Sequence, residues 1–302
     1  MKRPDMILFD YGQTLVNETP FDGVRGTEAV LRYCTENKYH LTAEQIQREA
    51  NAINSELGRF DPARRHLFQV EAPNYMFTAY LYESLGIKLS LTSGQVDQIF
   101  WDAASPGRPT EGCPEFLAYL AAQGIRTGVI SNISYCGQVV EQRIRGLFPG
   151  HPFEFVLATS EYMFRKPNRR IFWLALEKAG LRQAWMTGED AGQRQTWITG
   201  EDAGQGQTWM TGEDAGKRQT WTTGEDAGQE HNPDTGKQLD SGIRNVWYIG
   251  DQYECDIVGA AGAGLFPIWY TGAIDLPYES HEGVMTVSHW KEVRALLEAC
   301  EA

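Results

Sequence analysis

Short apolar runs separated by amphipathic stretches predict most of the secondary structure of this chain. The runs at residues 6–9, 125–130, 155–157, 246–249 and 265–270 are rich in bulky and β-branched side chains, and a shorter one covers residues 284–287. Runs that lack polar alternation are typical of buried parallel strands. Helical periodicity follows over residues 114–124, 138–145, 169–179 and 289–299. Strands that alternate with helices predict an α/β fold, in which helices cover both faces of a parallel sheet.

The stretch between residues 20 and 109 carries a different pattern. Apolar residues recur there at helical spacing, and two pairs, Thr42 with Gln45 and Thr92 with Gln95, match the capping box that opens a helix. No strand-like alternation is visible in this stretch. We therefore predict an all-helical module, inserted between the first strand and the next strand–helix unit.

A tandem repeat occupies residues 185–232. Its four twelve-residue units begin at Trp185, Trp197, Trp209 and Trp221 and share the core Thr-Gly-Glu-Asp-Ala-Gly. We assign the insertion to residues 184–242, which enter the strand at 246–249 from its amino end, so it should lie on the opposite side of the sheet from a site at the carboxyl ends. We predict a tolerated surface expansion. The alternative is a segment for a protein partner or for self-association.

Composition narrows the function classes. The chain has 302 residues and a formal net charge of −13, which argues against a nucleic-acid partner. No apolar run is long enough to span a membrane, and the first strand follows the N-terminus without the apolar core of a signal peptide. Five scattered cysteines without Cys-x-x-Cys spacing indicate reduced thiols. We expect a cytoplasmic protein with no membrane partner.

Residues capable of chemistry follow four of the predicted strands. Asp10 follows the first, Ser131 the second and Asp251 the fourth, whereas Lys166 lies between the third strand and its helix. The carboxyl ends of parallel strands share one edge of a sheet, where open α/β sheets bind ligands. Asp256 lies five residues beyond Asp251, and two such carboxylates repel each other unless a cation lies between them. The alternatives are an acidic helix start for the two aspartates, a helix N-cap for Ser131 and a solvated side chain for Lys166.

The motifs around these residues resemble those of the haloacid dehalogenase-like (HAD) superfamily. Phe9-Asp10-Tyr-Gly-Gln-Thr14-Leu15 is similar to its first motif, Val129-Ile-Ser131-Asn132 to its second, Lys166-Pro167 to its third, and Gly250-Asp251 with Asp256 to its fourth. The resemblance covers residues 5–183 and 243–297. It implies a Rossmannoid core at residues 1–16 and 110–302, and a C1-type helical cap at residues 17–109 that closes over the site and selects the substrate.

The resemblance also implies how the site would work. Asp10 would be the nucleophile of a hydrolase and would form an aspartyl intermediate. A Mg²⁺ ion would be held by Asp10, Asp251 and the backbone carbonyl of Gly12, with Asp256 supporting the metal site. A phosphoryl group flanked by several carboxylates needs such a hard cation to neutralise it.

Three further residues would bind the substrate by the same resemblance. Ser131, Asn132 and Lys166 would bind the phosphoryl oxygens of a small phosphorylated substrate, and Ser131 and Lys166 would also take part in catalysis. Lys166 would in addition offset the crowded carboxylates around Asp10.

Gly12 departs from the family pattern. Phosphatases of this superfamily carry a second aspartate two residues after the nucleophile, which protonates the leaving group and then activates water. Here that position is Gly12, and Gln13 follows where glycine is usual. Loss of a positioned acid–base group typically lowers the rate by about 10²–10⁴-fold. We therefore expect ordinary alkyl phosphate monoesters to be poor substrates.

Three functions stay open. The preferred one is a Mg²⁺-dependent phosphatase or phosphotransferase, and the second is a catalytically weak protein that binds a phosphorylated ligand or a partner. The third is a dehalogenase or phosphonate hydrolase, since both also lack the second aspartate. Dehalogenases do not need the metal site that Asp251 and Asp256 suggest. Phosphonate hydrolases need a lysine from the cap, for which Lys38 and Lys88 are the available residues.

Overall fold

A computed structural model describes residues 2–58, 70–181, 245–273, 281 and 283–300. These residues belong to one compact unit, which consists of Met1–Arg182 and Ile243–Ala302. The repeat at residues 185–232, and the predictions about its place and role, lie outside the described residues.

The elements follow the predicted alternation closely. The strands are β1 (Met6–Phe9), β2 (Val16–Glu18), β3 (Cys34–Asn37), β4 (Ile87–Leu89), β5 (Gly107–Pro109), β6 (Arg126–Ser131), β7 (Val156–Ala158), β8 (Val246–Gly250), β9 (Phe266–Tyr270) and β10 (Met285–Val287). The helices are α1 (Gly23–Leu31), α2 (Ala43–Glu56), α3 (Asn74–Ser84), α4 (Ser93–Ala104), α5 (Cys113–Ala122), α6 (Gly137–Leu147), α7 (Arg169–Lys178), α8 (Gly259–Gly262) and α9 (Trp290–Glu298).

Six parallel strands form the central sheet, in the order β10-β9-β8-β1-β6-β7. Successive side chains of a strand point to opposite faces, and β1 shows this clearly. Met6 and Leu8 belong to the apolar cluster that contains Phe172 of α7, whereas Ile7 and Phe9 belong to the cluster that contains residues of α5, α6 and α9. Both faces of the sheet are therefore buried, and the predicted Rossmannoid fold is confirmed.

The segment between β2 and β5 is mostly helical and has an apolar cluster of its own. That cluster contains Val30, Ile46, Ala50, Leu81, Tyr82, Ile87 and Val96. Both predicted capping boxes are present, at the starts of α2 and α4. The segment is not entirely helical, however, because β3 and β4 form a two-stranded antiparallel sheet within it, and β2 pairs with β5 at its two ends. These strands have only three or four residues each, too few to show the alternation that predicts a strand.

No helix within the described ranges is long and apolar enough to cross a membrane.

Candidate active site

Three of the predicted site residues meet at the carboxyl edge of the sheet. The last residue of β1, Phe9, is in register with residues near the ends of β6 and β8. Asp10 therefore lies beside Ser131, which ends β6, and beside Asp251, which follows β8. All three side chains are buried, so this edge of the sheet holds a concentrated polar cluster.

Lys166 is the centre of this cluster, because its ammonium group donates to three different partners. The acceptors are Asp10 Oδ1 at 2.6 Å, Asp256 Oδ1 at 2.6 Å and the Tyr248 hydroxyl at 2.8 Å. The lysine side chain is 2% exposed. A buried charge is tolerated when it is paired and hydrogen-bonded. The alternative of a solvated lysine is therefore wrong.

Asp256 uses both of its carboxylate oxygens to hold this arrangement. Its Oδ1 accepts hydrogen bonds from Lys166 and from the Tyr248 hydroxyl at 3.0 Å, and its Oδ2 accepts one from the Gln252 N–H at 2.9 Å. The residue lies in a π-helical turn, Tyr253–Val258, that precedes α8, and not at the start of an α-helix as the sequence suggested. Asp256 is thus paired with a lysine and does not cap a helix.

Asn132 fixes the main chain of Lys166. Its side-chain nitrogen donates to the Lys166 carbonyl at 2.9 Å, and its side-chain oxygen accepts from the Lys166 N–H at 2.8 Å. Ser131 is buried at the end of β6, and the helix that follows has Cys136 at its N-cap. The N-cap alternative for Ser131 is therefore wrong. The substrate-binding roles of Ser131 and Asn132 stay predictions.

Three aspartates provide a candidate metal site. Ligand atoms of Asp10, Asp251 and Asp256 all lie within 4.8 Å of one another, and the Thr14 hydroxyl donates to Asp251 Oδ1 at 3.4 Å. Carboxylate oxygens are the donors that Mg²⁺ prefers. Three carboxylates share one lysine here, so the cluster can hold more negative than positive charge. Its residues fit a hard divalent cation.

The pKa values of the cluster also fit a site for a cation. Burial raises the pKa of Asp10 to about 6, although the neighbouring Lys166 ammonium lowers it. Burial, followed by repulsion from Asp10 and Asp256, raises the pKa of Asp251 well above its ordinary value. Burial opposes the charged form of Lys166, but the two carboxylates beside it raise the pKa of its ammonium group. A bound cation would favour the ionised carboxylates.

The loop after β1 turns back on itself beside this cluster. The Gln13 N–H donates to the Val16 carbonyl at 2.7 Å, and the Val16 N–H donates to the Tyr11 carbonyl at 3.0 Å. The Gln13 side chain donates to the main-chain oxygen of Glu18 at 3.3 Å. Gln13 is therefore tied to its own loop, and Gly12 offers no side chain to the site.

Two features of this site were not predicted from the sequence. Tyr248 bridges Lys166 and Asp256, yet in the sequence it is one more bulky residue of an apolar strand. A buried tyrosine hydroxyl usually has a polar partner, and that rule was the available signal. The second feature is the close approach of Asp256 to Gly250. A Cβ at position 250 would overlap the Asp256 carboxyl group.

Comparisons with known proteins identify the family. A family model described as haloacid dehalogenase-like hydrolase matches residues 4–189, which is more than half of the chain and includes the first three motifs. No curated protein matches the chain.

Solved structures support the fold. A HAD phosphatase from Thermococcus onnurineus is 14% identical, with a TM-score of 0.52 and 100% of both chains covered. A 2-haloacid dehalogenase from Pseudomonas syringae pv. Tomato DC3000 is 16% identical, with a TM-score of 0.51 and 99% of each chain covered. At these identities the structural matches show the fold alone, and the family rests on the sequence match. The chain belongs to the haloacid dehalogenase-like hydrolases.

Proposed function

We propose that this hydrolase is a Mg²⁺-dependent phosphatase or phosphotransferase that acts on a small phosphorylated metabolite through an aspartyl intermediate at Asp10. The observation that carries the proposal is the buried group of three aspartates around one lysine. A phosphoryl group adds further negative charge at this point. A divalent cation together with Lys166 would neutralise that charge.

Asp10 would attack through the oxygen that Lys166 does not hold. Lys166 holds Oδ1, which leaves Oδ2 to form a bond to phosphorus while the bond between phosphorus and the leaving oxygen breaks. Water then attacks phosphorus, the bond to Asp10 breaks, and inorganic phosphate leaves. An alcohol in place of water would give phosphotransfer. The site therefore contains the nucleophile for a two-step reaction.

The metal ligands would be Asp10, Asp251 and the backbone carbonyl of Gly12, with Asp256 supporting them through Lys166. When bound, Mg²⁺ would neutralise charge on the phosphoryl oxygens and favour the ionised form of Asp10. Ser131 would donate its hydroxyl to a phosphoryl oxygen.

A cavity of about 510 Å³ beside the site would take the organic part of the substrate. It is lined from the core by Asn132 and the residues after it, and from the helical segment by side chains that include Asn51, Asn54 and Phe77. Its volume is within the range of small-molecule sites. The segment at residues 17–109 would thus act as the cap that selects the substrate.

The phosphonate hydrolase alternative has less support. Lys88 is 71% exposed and pairs with Glu36 at 2.6 Å. Neither Lys88 nor Lys38 is among the described residues that line the cavity. The three-aspartate cluster likewise favours a metal-dependent phosphatase over a dehalogenase, which needs no such site.

Hydrolysis of p-nitrophenyl phosphate and acetyl phosphate, with and without Mg²⁺, tests the proposal. The natural chain should release phosphate only when Mg²⁺ is present. Asp10→Asn should abolish this activity, because an amide is not a nucleophile for phosphorus. Asp5→Asn makes the same chemical change at an exposed position and should leave the activity unchanged.

Two results would contradict the proposal. Activity that survives in Asp10→Asn would mean that another group attacks the substrate. A natural chain that binds Mg²⁺ but hydrolyses neither compound would favour the second function, a protein that binds a phosphorylated ligand or a partner.

A further inference from the structure

The space beside Gly12, where a side chain is missing, borders the carboxylate of Glu18. A Cβ built on Gly12 meets no atom closer than Glu18 Oε2, at 3.9 Å. An aspartate at this position would carry its oxygens one carbon beyond that Cβ. Glu18 therefore brings a carboxyl group close to where the missing acid of the site would lie.

One oxygen of Glu18 is held firmly. Oε1 accepts hydrogen bonds from the Trp101 Nε1–H at 2.8 Å, from the Tyr11 hydroxyl at 3.2 Å and from Arg143 Nη2 at 3.3 Å. Glu18 is also the last residue of β2, where it is paired with Gly107 of β5. Three donors from three parts of the chain thus fix the orientation of this carboxyl group.

The other oxygen is not held in this way by any described residue. Oε2 has no hydrogen-bond partner within the part of the chain that the structure describes, and the side chain is 20% exposed. The residues bonded to Glu18 are Tyr11, Trp101 and Arg143, none of which belongs to the proposed metal site. An anchored carboxyl group with one unbonded oxygen is suited to exchange a proton with a ligand.

The surroundings of Glu18 shift the pKa of its carboxyl group upward. Burial raises the pKa of this carboxyl group, the charge of Asp10 raises it further, and Arg143 and the hydrogen bonds to Oε1 oppose the change. The upward direction brings the pKa of Glu18 closer to neutral pH, which improves a general acid.

We propose that Glu18 is the general acid–base catalyst of this site, in the place that aspartate two residues after the nucleophile takes in related phosphatases. This inference rests on the proposed phosphatase function. When Asp10 Oδ2 attacks phosphorus, the proton of Glu18 Oε2 passes to the leaving oxygen as its bond to phosphorus breaks. Glu18, now a carboxylate, takes a proton from the water that attacks the aspartyl phosphate. Phosphate leaves, Asp10 is free again, and Glu18 is protonated for the next cycle.

The inference reverses one expectation from the sequence. Without an acid, alkyl phosphates would be poor substrates, because an alkoxide is a poor leaving group. With Glu18 as the acid, the natural chain should hydrolyse an alkyl monoester such as β-glycerophosphate.

Glu18→Gln tests the role directly, because the amide keeps an oxygen for the three donors but cannot transfer a proton. The value of kcat/KM for β-glycerophosphate should fall by about 10²–10⁴-fold. For acetyl phosphate, whose leaving group needs no proton, kcat/KM should stay nearly unchanged. Its kcat should fall, because the attacking water has lost its base.

Two further variants serve as control and rescue. Asp102→Asn removes an exposed partner of Arg143, which pairs with Asp102 at 3.0 Å, and should leave both substrates unaffected. Gly12→Asp in the Glu18→Gln background should restore much of the β-glycerophosphate activity, since the space around Gly12 accepts a side chain. A variant whose fold is merely damaged would not be rescued in this way.

The outcomes separate this inference from the proposed function. If the natural chain shows no Asp10-dependent hydrolysis, both fail together. If it is active but Glu18→Gln retains kcat/KM for β-glycerophosphate, or loses it equally for both substrates, the role of Glu18 alone is refuted. Gly12→Asp in the natural background gives an answer even if Glu18→Gln does not fold. The inference predicts no large gain in β-glycerophosphate hydrolysis, whereas a gain of about 10²-fold or more would show that the acid had been missing and would refute the role of Glu18.

Discussion

The structure contains two hydrogen-bonded clusters, each with a cationic side chain, a carboxyl group and a tyrosine. One cluster includes Asp10, and the other includes the next residue, Tyr11. We call them the Lys166 cluster (Lys166, Asp10, Asp256 and Tyr248) and the Arg143 cluster (Arg143, Glu18, Tyr11 and Trp101). In the Lys166 cluster every ammonium proton and both oxygens of Asp256 have a partner. In the Arg143 cluster one oxygen of Glu18 has none among the described residues, and its side chain is partly exposed.

This difference in hydrogen bonding suggests different roles for the two clusters, one in positioning and the other in proton transfer. In the Lys166 cluster these bonds hold one geometry, and the oxygen that Lys166 does not hold, Asp10 Oδ2, is the proposed attacking atom and not a proton donor. The Arg143 cluster is also anchored, because the guanidinium donates to the Tyr11 hydroxyl at 2.8 Å and lies 4.1 Å from the Trp101 ring centre. Its anchoring leaves one acidic oxygen available. We infer that the first cluster orients the nucleophile and that the second serves the leaving group and water.

Replacement of the two cationic side chains, Lys166 and Arg143, should give the largest difference in stability between the two clusters. Lys166→Met leaves Asp10 and Asp256 buried without their cation, so we expect a loss of about 3–5 kcal/mol in the free energy of unfolding. Arg143→Met should cost about 1–3 kcal/mol, since Glu18 keeps two donors and some contact with water. Urea unfolding of both variants near neutral pH, without Mg²⁺, measures the difference. Equal losses would show that the two clusters are not distinct.

The Lys166→Met deficit should also depend on pH. Lys166 lowers the pKa of Asp10, so its removal raises that pKa further and makes the ionised form more costly. Acid protonates Asp10 and relieves the unpaired charge, and the deficit should therefore shrink as the pH falls. A deficit that stays constant between about pH 8 and about pH 5 would contradict this explanation.

Asp10→Asn should stabilise the metal-free chain at alkaline pH. The pKa of Asp10 is raised from 3.8 to about 6 in the fold, so the folded state binds more protons than the unfolded state between these values. Stability then falls as the pH rises through this window, by roughly 2–3 kcal/mol in total. Asp10→Asn lacks this penalty. With a chelator present, it should exceed the natural chain in stability at about pH 8 and approach it at about pH 4. Lower stability of Asp10→Asn at the alkaline end would contradict the prediction, and Asp5→Asn is the matched control.

The two tyrosines offer a finer test. Tyr248→Phe removes a hydroxyl that accepts from Lys166 and donates to Asp256 in the fully buried cluster, and should cost about 1.5–3 kcal/mol. Tyr11→Phe removes the hydroxyl between Arg143 and Glu18, where solvent replaces part of the loss, and should cost about 0.5–1.5 kcal/mol. Thermal or urea unfolding of the pair checks the order, and the reverse order would be inconsistent with the difference in burial.

Much of the candidate active site around Lys166 could be predicted from the sequence. Asp10, Ser131 and Asp251 follow apolar strands, and parallel strands bring their carboxyl ends to one edge of the sheet. The position of each residue along the chain therefore fixed its place in the fold. The bonds within the cluster could not be predicted, because they depend on the reach of Lys166 and on the π-helical turn that carries Asp256.

The Arg143 cluster could not be predicted in this way. Glu18 lies in a three-residue strand, and its partners Trp101 and Arg143 are 83 and 125 residues away along the chain. No local pattern connects them. The sequence showed the absence of an acid at Gly12, and only the fold, which brings Trp101 of α4 and Arg143 of α6 to Glu18, shows the carboxylate beside that position. The same lack of local pattern concealed the short sheet of β3 and β4.

Chemical trapping of the intermediate tests most directly whether Asp10 is the nucleophile. Borohydride reduces an aspartyl phosphate to homoserine, so the natural chain would be mixed with acetyl phosphate and Mg²⁺, reduced, digested and examined by mass spectrometry. We predict homoserine at position 10, only when both substrate and Mg²⁺ are present. Turnover without any change at position 10, or homoserine at another aspartate, would contradict the assignment.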